Sequence, residues 1–449
     1  MKIAIIGGGS LTWSFGLVRQ FIASENLQGA TVSLMDLDAG ALDLVGQACF
    51  TFNRSAGSPI EIETTVHRDN ALDGANFVLI CISTGGLEAM RHDLEIPQDH
   101  GIYHTVGDTV GPGGWFRAVR NLPIFNGLAD AIGRLCPHAW VLNMTNPLTA
   151  LTRLLARRLG DKVIGMCPGV EEQVRSFATL IGADVKHGLE YTVTGIDHGS
   201  YFTRLIVGET DVLQTLRHRG FYRSDDQLPS ELFVDDPMAM RVHSRAIFAI
   251  WREIGYLPSI SDRHAVENFS WFLANGSEEL PFGIQRTSVD QRVAWQAGKE
   301  QALRNYIECG DDQHMNQLGH GDDPVGAVIE SLSGHRSFLW GSNCQHVGQT
   351  PQAPQGAVVE SRCLFDKHGV HPESSPMPAA LMPIVLPTIH RQEAIVDIAL
   401  DGTFDQLVSL VLTDPLCARL DITDCRRMVG RMLQANCHYI VNKRLLQAG

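Results

Sequence analysis

Cys167 and His198 offer a thiol and an imidazole, each just past an apolar run, Lys162 to Gly165 and Tyr191 to Ile196. Brought together, a thiolate and an imidazole suit a borderline cation such as Mn²⁺, Fe²⁺, Co²⁺ or Ni²⁺; kept apart, they are ordinary core residues. A second group is Ser261-Asp262-Arg263-His264, with Glu267 about one helical turn farther on. Three ionisable residues in a row after Tyr256-Leu257-Pro258 read either as a site loop or as a capped, charged first turn of a helix. Arg263 has the fork that pairs with a carboxylate on a ligand, or equally with one of the protein's own. Asn146, in Thr145-Asn146-Pro147, both donates to and accepts from a sugar or a nicotinamide amide. Ser83-Thr84-Gly85-Gly86, then Arg91 and Asp93, and the run Gly107-Asp108-Thr109-Val110-Gly111-Pro112-Gly113-Gly114 complete the set. So many glycines suit close backbone approach to a ligand or a hinge, the alternative being a plain surface loop.

These groups need a scaffold, and the first 165 residues supply one by alternating strand and helix patterns. Lys2 to Ile6 is a short apolar strand that runs directly into Gly7-Gly8-Gly9-Ser10. A helical stretch, Leu11 to Ala23, and a second apolar run, Ala30 to Met35, lead to Asp36. Strand, glycine turn, helix, strand and acid form the dinucleotide-binding fingerprint, although Thr12 stands where a third glycine is usual. Glycines let the backbone approach a pyrophosphate at a helix N-terminus, and Asp36 accepts from ribose hydroxyls while repelling a 2′-phosphate. NAD is therefore expected over NADP. Further strands are expected at Ile60 to Thr64, Asn76 to Ile82, Trp140 to Met144 and Lys162 to Gly165. The near-continuous apolar runs among them fit strands covered on both faces.

The fold class is α/β: a Rossmann-type doubly wound parallel sheet, residues 1–190, followed by a mostly helical α+β catalytic, metal-binding and oligomerisation domain, residues 191–449. Tyr191 to Asp197 and Tyr201 to Val207 are expected as strands of a second sheet, and Met238 to Gly255, Val289 to Cys309 and Met377 to Leu400 as helices. Ligands of such sheets lie outside the carboxyl ends of the strands, so the loops after Ile82, Met144 and Gly165 are where chemistry belongs.

A chain of 449 residues, 44% hydrophobic and 19% charged, buries a large core. A formal charge of −14 argues against nucleic acid and anionic membranes as partners. No apolar stretch approaches a membrane span, and the first one is too short for a signal peptide. Ten cysteines without CxxC pairs point to reduced thiols and a cytoplasmic location.

In order along nearly the whole chain, Gly7-Gly8-Gly9-Ser10, Gly111-Pro112-Gly113-Gly114, Thr145-Asn146-Pro147, the Cys167 loop, Gly195-Ile196-Asp197-His198, Gly356-Ala357-Val358-Val359-Glu360 and the segment from Asp366 to Pro372 resemble glycoside hydrolase family 4. The resemblance implies a lactate/malate dehydrogenase-like fold, NAD⁺ and a divalent metal, usually manganese. It also implies cleavage of a small glycoside by redox-assisted elimination, outside the two-carboxylate rule of most glycosidases. On it, Gly7, Gly9, Ser10, Asp36 and Thr84 hold NAD⁺, and Cys167 and His198 ligate the metal. Asn146, Arg91 and Arg263 face the sugar, and Asp262, with His264 beside it, falls at the catalytic base. C3 is oxidised, the metal acidifies the C2 proton, the base removes it, the C1 substituent leaves, water adds and the hydride returns. A homodimer or homotetramer is expected.

Two departures stand out. Pro168 follows Cys167 where a polar residue is usual, which leaves a metal-bound water, His264 or Glu171 as proton donor. Asp197 precedes His198 where relatives have Asn, and it either tightens the metal site or orients the imidazole. The Asp262-Arg263-His264 run is similar to the α-galacturonidase-like branch, which favours an unphosphorylated hexuronide or hexoside. The competing readings are an NAD-dependent 2-hydroxyacid dehydrogenase, which needs no metal, and a non-catalytic NAD-bound sensor, to which Pro168 lends support.

Overall fold

A computed structural model describes residues 1–222, 245–273, 279–310 and 324–447. Its first half follows the hydrophobic pattern closely. Strands β1 (Lys2–Ile6), β2 (Thr31–Met35), β3 (Glu61–Thr65), β4 (Phe77–Ile80), β5 (Trp140–Asn143) and β6 (Val163–Met166) are all parallel, in the order β3-β2-β1-β4-β5-β6. Successive side chains point to opposite faces. Ile3 and Ile5 therefore enter one core with Phe15, Val18, Leu303 and Tyr306, while Ala4 and Ile6 enter another with Trp115, Phe116 and Leu151. Helices Ser14–Ala23 and Ala39–Ser55 cover the first face, and Gly111–Leu135 and Leu148–Leu159 the second. The outermost strand, β3, is the exposed and charged one, as an unpaired edge requires.

The remaining strands are β7 (Leu189–Ile196), β8 (Gly199–Val207), β9 (Thr210–Asp211), β10 (Leu257–Pro258), β11 (Phe338–Gln345), β12 (Val358–Asp366) and β13 (Gly369–Pro372). Here the expectation of a second sheet is corrected. β11 pairs antiparallel with β6, β12 with β11, β7 with β12, and β8 with β7, so one mixed sheet continues across residue 190. The physical reason is the edge of β6, which β11 covers with a chain segment more than 150 residues away in sequence. The helix at Val289–Cys309 has the expected bounds and begins with a capping box at Ser288 and Gln291. Of the helix expected from Met238, residues 245–254 are helical and 238–244 lie outside the described residues.

The glycine run at 107–114 is only partly a loop. Gly111 to Gly114 form the buried first turn of the helix Gly111–Leu135. A Cβ on Gly114 would stand 2.4 Å from the Thr109 carbonyl carbon, and one on Gly111 2.4 Å from the His104 ring. The glycines let segment 104–109 lie directly on that turn.

Candidate active site

The site lies at the carboxyl ends of the parallel strands. After β1, the turn at Gly7-Gly8-Gly9 presses against its neighbours. A Cβ on Gly7 would meet the Cys81 carbonyl oxygen at 2.4 Å, and one on Gly8 the Met35 nitrogen at 2.6 Å. Gly7 also has φ +99°, which L side chains rarely adopt. Asp36, at the end of β2, accepts from the Gly9 N–H at 2.9 Å. Ser10 accepts from the Trp13 N–H at 3.3 Å, at the start of the following helix. Thr84, after β4, donates its hydroxyl to Asn121 at 2.7 Å. The turn has no room for a Cβ and has a carboxylate at its rim, so these residues fit a dinucleotide with free ribose hydroxyls.

Farther along the edge, Cys167 follows β6 and His198 turns the hairpin between β7 and β8. The turn is two residues long, Asp197-His198, and His198 has φ +58°. A residue with a Cβ held there costs about 1–3 kcal/mol, which the surroundings must over-determine. They do so with Asn268, which donates to the His198 carbonyl at 2.8 Å, and with Asn343, which accepts from the Asp197 N–H at 3.1 Å. Asn343 in turn donates to Glu360 at 3.0 Å, and Glu360 also accepts from Ser200, itself bonded to Ser259. The glutamate of the Gly356–Glu360 motif thus braces the hairpin from below.

The His198 ring reaches the Cys167 sulfur with Nε2 at 3.6 Å and Thr109 Oγ1 with Nδ1 at 2.7 Å. Thr109 donates to Asp108 Oδ1 at 2.8 Å. A hydroxyl that gives its proton to a carboxylate can only accept from Nδ1–H, so the Nε2 lone pair faces Cys167. Asp197 completes this side with Oδ2 3.6 Å from His198 Nδ1. Both Asp197 carboxylate oxygens are buried and accept no hydrogen bond. Burial holds the carboxyl at about 7, with His198 opposing the rise and Glu360 and Asp108 adding to it. Burial also pushes the Cys167 thiol up, with Asp197 and Glu360 as further causes. A thiol, an imidazole nitrogen and an orphaned carboxylate within 4.8 Å of one another fit a divalent cation. Its charge would reverse both shifts.

The opposite side of His198 holds Asp108, Asn146 and His264. Asn146 donates to Asp108 Oδ2 at 3.0 Å. His264 packs on His198 with ring centroids 3.8 Å apart, and its Nδ1, buried and unbonded, is 3.9 Å from Asp108 Oδ1. Burial keeps the His264 imidazole below its ordinary value and so neutral at pH 7, although Asp108 and Glu267 oppose that effect. The loop is fixed by Glu267, whose Oε1 accepts from the N–H groups of Thr105, Val106 and Gly107 at 2.8–3.0 Å and lies 3.1 Å from His104.

The structure therefore brings Cys167, His198, Asn146 and His264 together, and adds Asp108, Thr109 and Asp197. It gives other residues different tasks. The carboxylate of Asp262, expected as the base, accepts from the N–H groups of Ala246 and Ile247 at 3.1 and 2.8 Å and caps the helix Arg245–Ile254. Arg263 donates to Thr287 at 2.7 Å. Arg91, expected at the sugar, pairs with Glu95 and Asp290 at 2.8 and 2.7 Å on the surface. Glu171, one candidate proton donor, accepts from Tyr191 and, at 2.7 Å, from the Gly341 N–H beneath the sheet edge. Asp108 was visible only as the one carboxylate inside the glycine run.

Two family models match the chain: "Family 4 glycosyl hydrolase" over residues 2–180 and "Family 4 glycosyl hydrolase C-terminal domain" over residues 193–417. An alpha-galacturonidase of Bacillus subtilis (strain 168) is 29% identical, with 97% of each chain covered. A solved structure, lplD from Bacillus subtilis, superposes with a TM-score of 0.85 at 28% identity, covering 96% of this chain and 99% of that one. The fold is also that of a 6-phospho-beta glucosidase from Thermotoga maritima, solved with manganese, NAD⁺ and glucose-6-phosphate. The TM-score is 0.80 at 18% identity, over 98% of this chain and 99% of that one.

Proposed function

The chain belongs to family 4 of the glycosyl hydrolases, and within that family we propose an NAD- and divalent-metal-dependent glycosidase that acts on an unphosphorylated α-galacturonide. Membership sets the 2-hydroxyacid dehydrogenase reading aside. The observation that carries the proposal is the orphaned, buried carboxylate of Asp197 facing Cys167 and His198 beside a glycine turn fit for a dinucleotide. The uronide preference draws on the relatives named alpha-galacturonidase, the first two at 29% and 28% identity over nearly the whole chain.

On this reading Gly7, Gly9, Ser10, Asp36 and Thr84 hold the cofactor, and Cys167, Asp197 and His198 hold the cation. When bound, the two supply reversible hydride transfer at C3 and withdrawal of charge from the C3 oxygen, which acidifies the C2 proton. The protein's own part is positioning and proton movement. Asn146 orients a sugar hydroxyl with the amide that Asp108 already fixes. His264 is neutral and takes the C2 proton at Nε2, while Nδ1, turned to Asp108, lets that carboxylate stabilise the imidazolium that results. Asp262 sets the angle of the segment that carries His264. A homodimer or homotetramer in the cytoplasm belongs to the same reading; its location is supported by ten cysteines without CxxC pairs.

The test is a panel of nitrophenyl α-galacturonide and the matching galactoside and glucoside, with NAD⁺, Mn²⁺ and a reductant. Galacturonide turnover that disappears on chelation or cofactor stripping is expected. Turnover that survives either treatment, or none on any substrate, contradicts the reading.

A further inference from the structure

The members of the cluster differ in burial. The Asp197 side chain is 0% exposed and that of His198 6%, against 12% for His264 and 15% for Asp108. Cys167, Asp108 and His264 are the partly exposed members of the cluster, and four arginines of the chain lie toward Asp108 and His264. Three are committed. Arg117 donates from Nε to the Asn146 carbonyl at 3.0 Å. Arg263 donates to Thr287 at 2.7 Å, and Arg286 to the His104 carbonyl at 3.2 Å and to Gln98 at 2.7 Å.

Arg292 differs. Its Nε is buried without a hydrogen-bond partner, and its Nη2 makes one long contact, 3.4 Å, to the Val106 carbonyl. Among the described residues no carboxylate lies within ion-pair distance of it. Its charge nevertheless acts on both Asp108 and His264. Its position is firm. The Thr287 N–H donates to the Thr105 carbonyl at 2.9 Å, Ser288 caps the helix, and Asp290 is tied to Arg91 at 2.7 Å. A preorganised guanidinium beside Asp108 and His264 with no ion-pair partner is built to accept an anion, and its two Nη groups form an edge that matches a carboxylate.

We propose that Arg292, and not Arg263, recognises the carboxylate of the uronide substrate, at the sugar carbon that bears CH₂OH in a neutral hexoside. The inference rests on the uronide reading above and names the residue responsible for it. Glu267 accepts from three backbone N–H groups at Oε1 and leaves Oε2 buried and unbonded; it acts on Arg292 through its charge from beyond ion-pair distance.

The experiment measures kcat/KM of the full chain on nitrophenyl α-galacturonide and α-galactoside for the wild type, Arg292→Lys, Arg292→Gln and Arg263→Lys, together with calorimetric binding of free galacturonate. The uronide/hexoside ratio should fall roughly tenfold to a hundredfold in Arg292→Gln, less in Arg292→Lys, and the change should appear mainly in KM and in galacturonate affinity. Arg263→Lys should keep the wild-type ratio. A wild type that prefers the uronide while both Arg292 variants keep that preference overturns the assignment and leaves the uronide reading standing. A wild type that prefers the galactoside overturns both.

Discussion

At the scale of single residues, Asp262 and His264 separate cleanly. Only one residue lies between them, yet one side chain caps a helix and the other packs on His198. Asp262→Asn keeps one acceptor oxygen for two N–H donors, so it should cost about 1–2 kcal/mol of stability while turnover stays within roughly tenfold of the wild type. His264→Asn removes Nε2 and should cost on the order of 10²-fold or more in turnover. Its melting temperature should barely change, because Nδ1 has no hydrogen bond to lose. Melting curves and single-turnover rates on both variants decide the matter. A stable, inactive Asp262→Asn beside an active His264→Asn would return the base to Asp262. Sequence adjacency could not have separated the two, because it does not say which way each side chain points.

At the scale of elements, the junction beneath Cys167 makes a pH prediction. Glu171 sits in the first turn of the helix Gly169–Ile181, accepts from Tyr191 of β7 and the Gly341 N–H of β11, and leaves its Oε2 buried and unbonded. Burial is the main cause that raises its carboxyl from 4.5 to about 7. The sign follows from linkage: a folded-state acid raised above its unfolded value contributes stability that is full below about pH 4.5 and lost as pH climbs toward 7. The full excursion is on the order of 3 kcal/mol. Measured with chelator present, the wild-type melting temperature should fall between pH 5 and 7.5, and Glu171→Gln should flatten part of that fall. Asp197, Glu360 and Asp262, all also raised to about 7, should keep the remainder. An unchanged slope in Glu171→Gln would mean that the carboxyl is solvated. The elements here were legible to different degrees. β6 and the Cys167 loop announce themselves by an apolar run ending at a sheet edge, whereas β11 and its pairing with β6 depend on a distant segment that no local pattern marks.

At the scale of the whole molecule, one mixed sheet carries both the glycine turn after β1 and the β7–β8 hairpin, so the residues proposed for the dinucleotide and for the metal share a single edge. The parallel half was readable because runs such as Phe77–Ile80, buried on both faces, can only be interior strands. Asp36, proposed for the cofactor, and the Cys167/His198 pair were readable for the same reason: each ends or follows such a strand. Asp108, Thr109 and Arg292 were not, since they come from a glycine-rich segment and from a helix that topology alone brings to the site.

On the proposed mechanism this chain breaks a glycosidic bond by removing the C2 proton and not by direct displacement at C1. The most direct measurement is turnover of nitrophenyl α-galacturonide in deuterated water with NAD⁺ and Mn²⁺, followed by NMR of the released sugar. Deuterium at C2 of the product is the expected result. Product formed at full rate with hydrogen retained at C2 would contradict the mechanism.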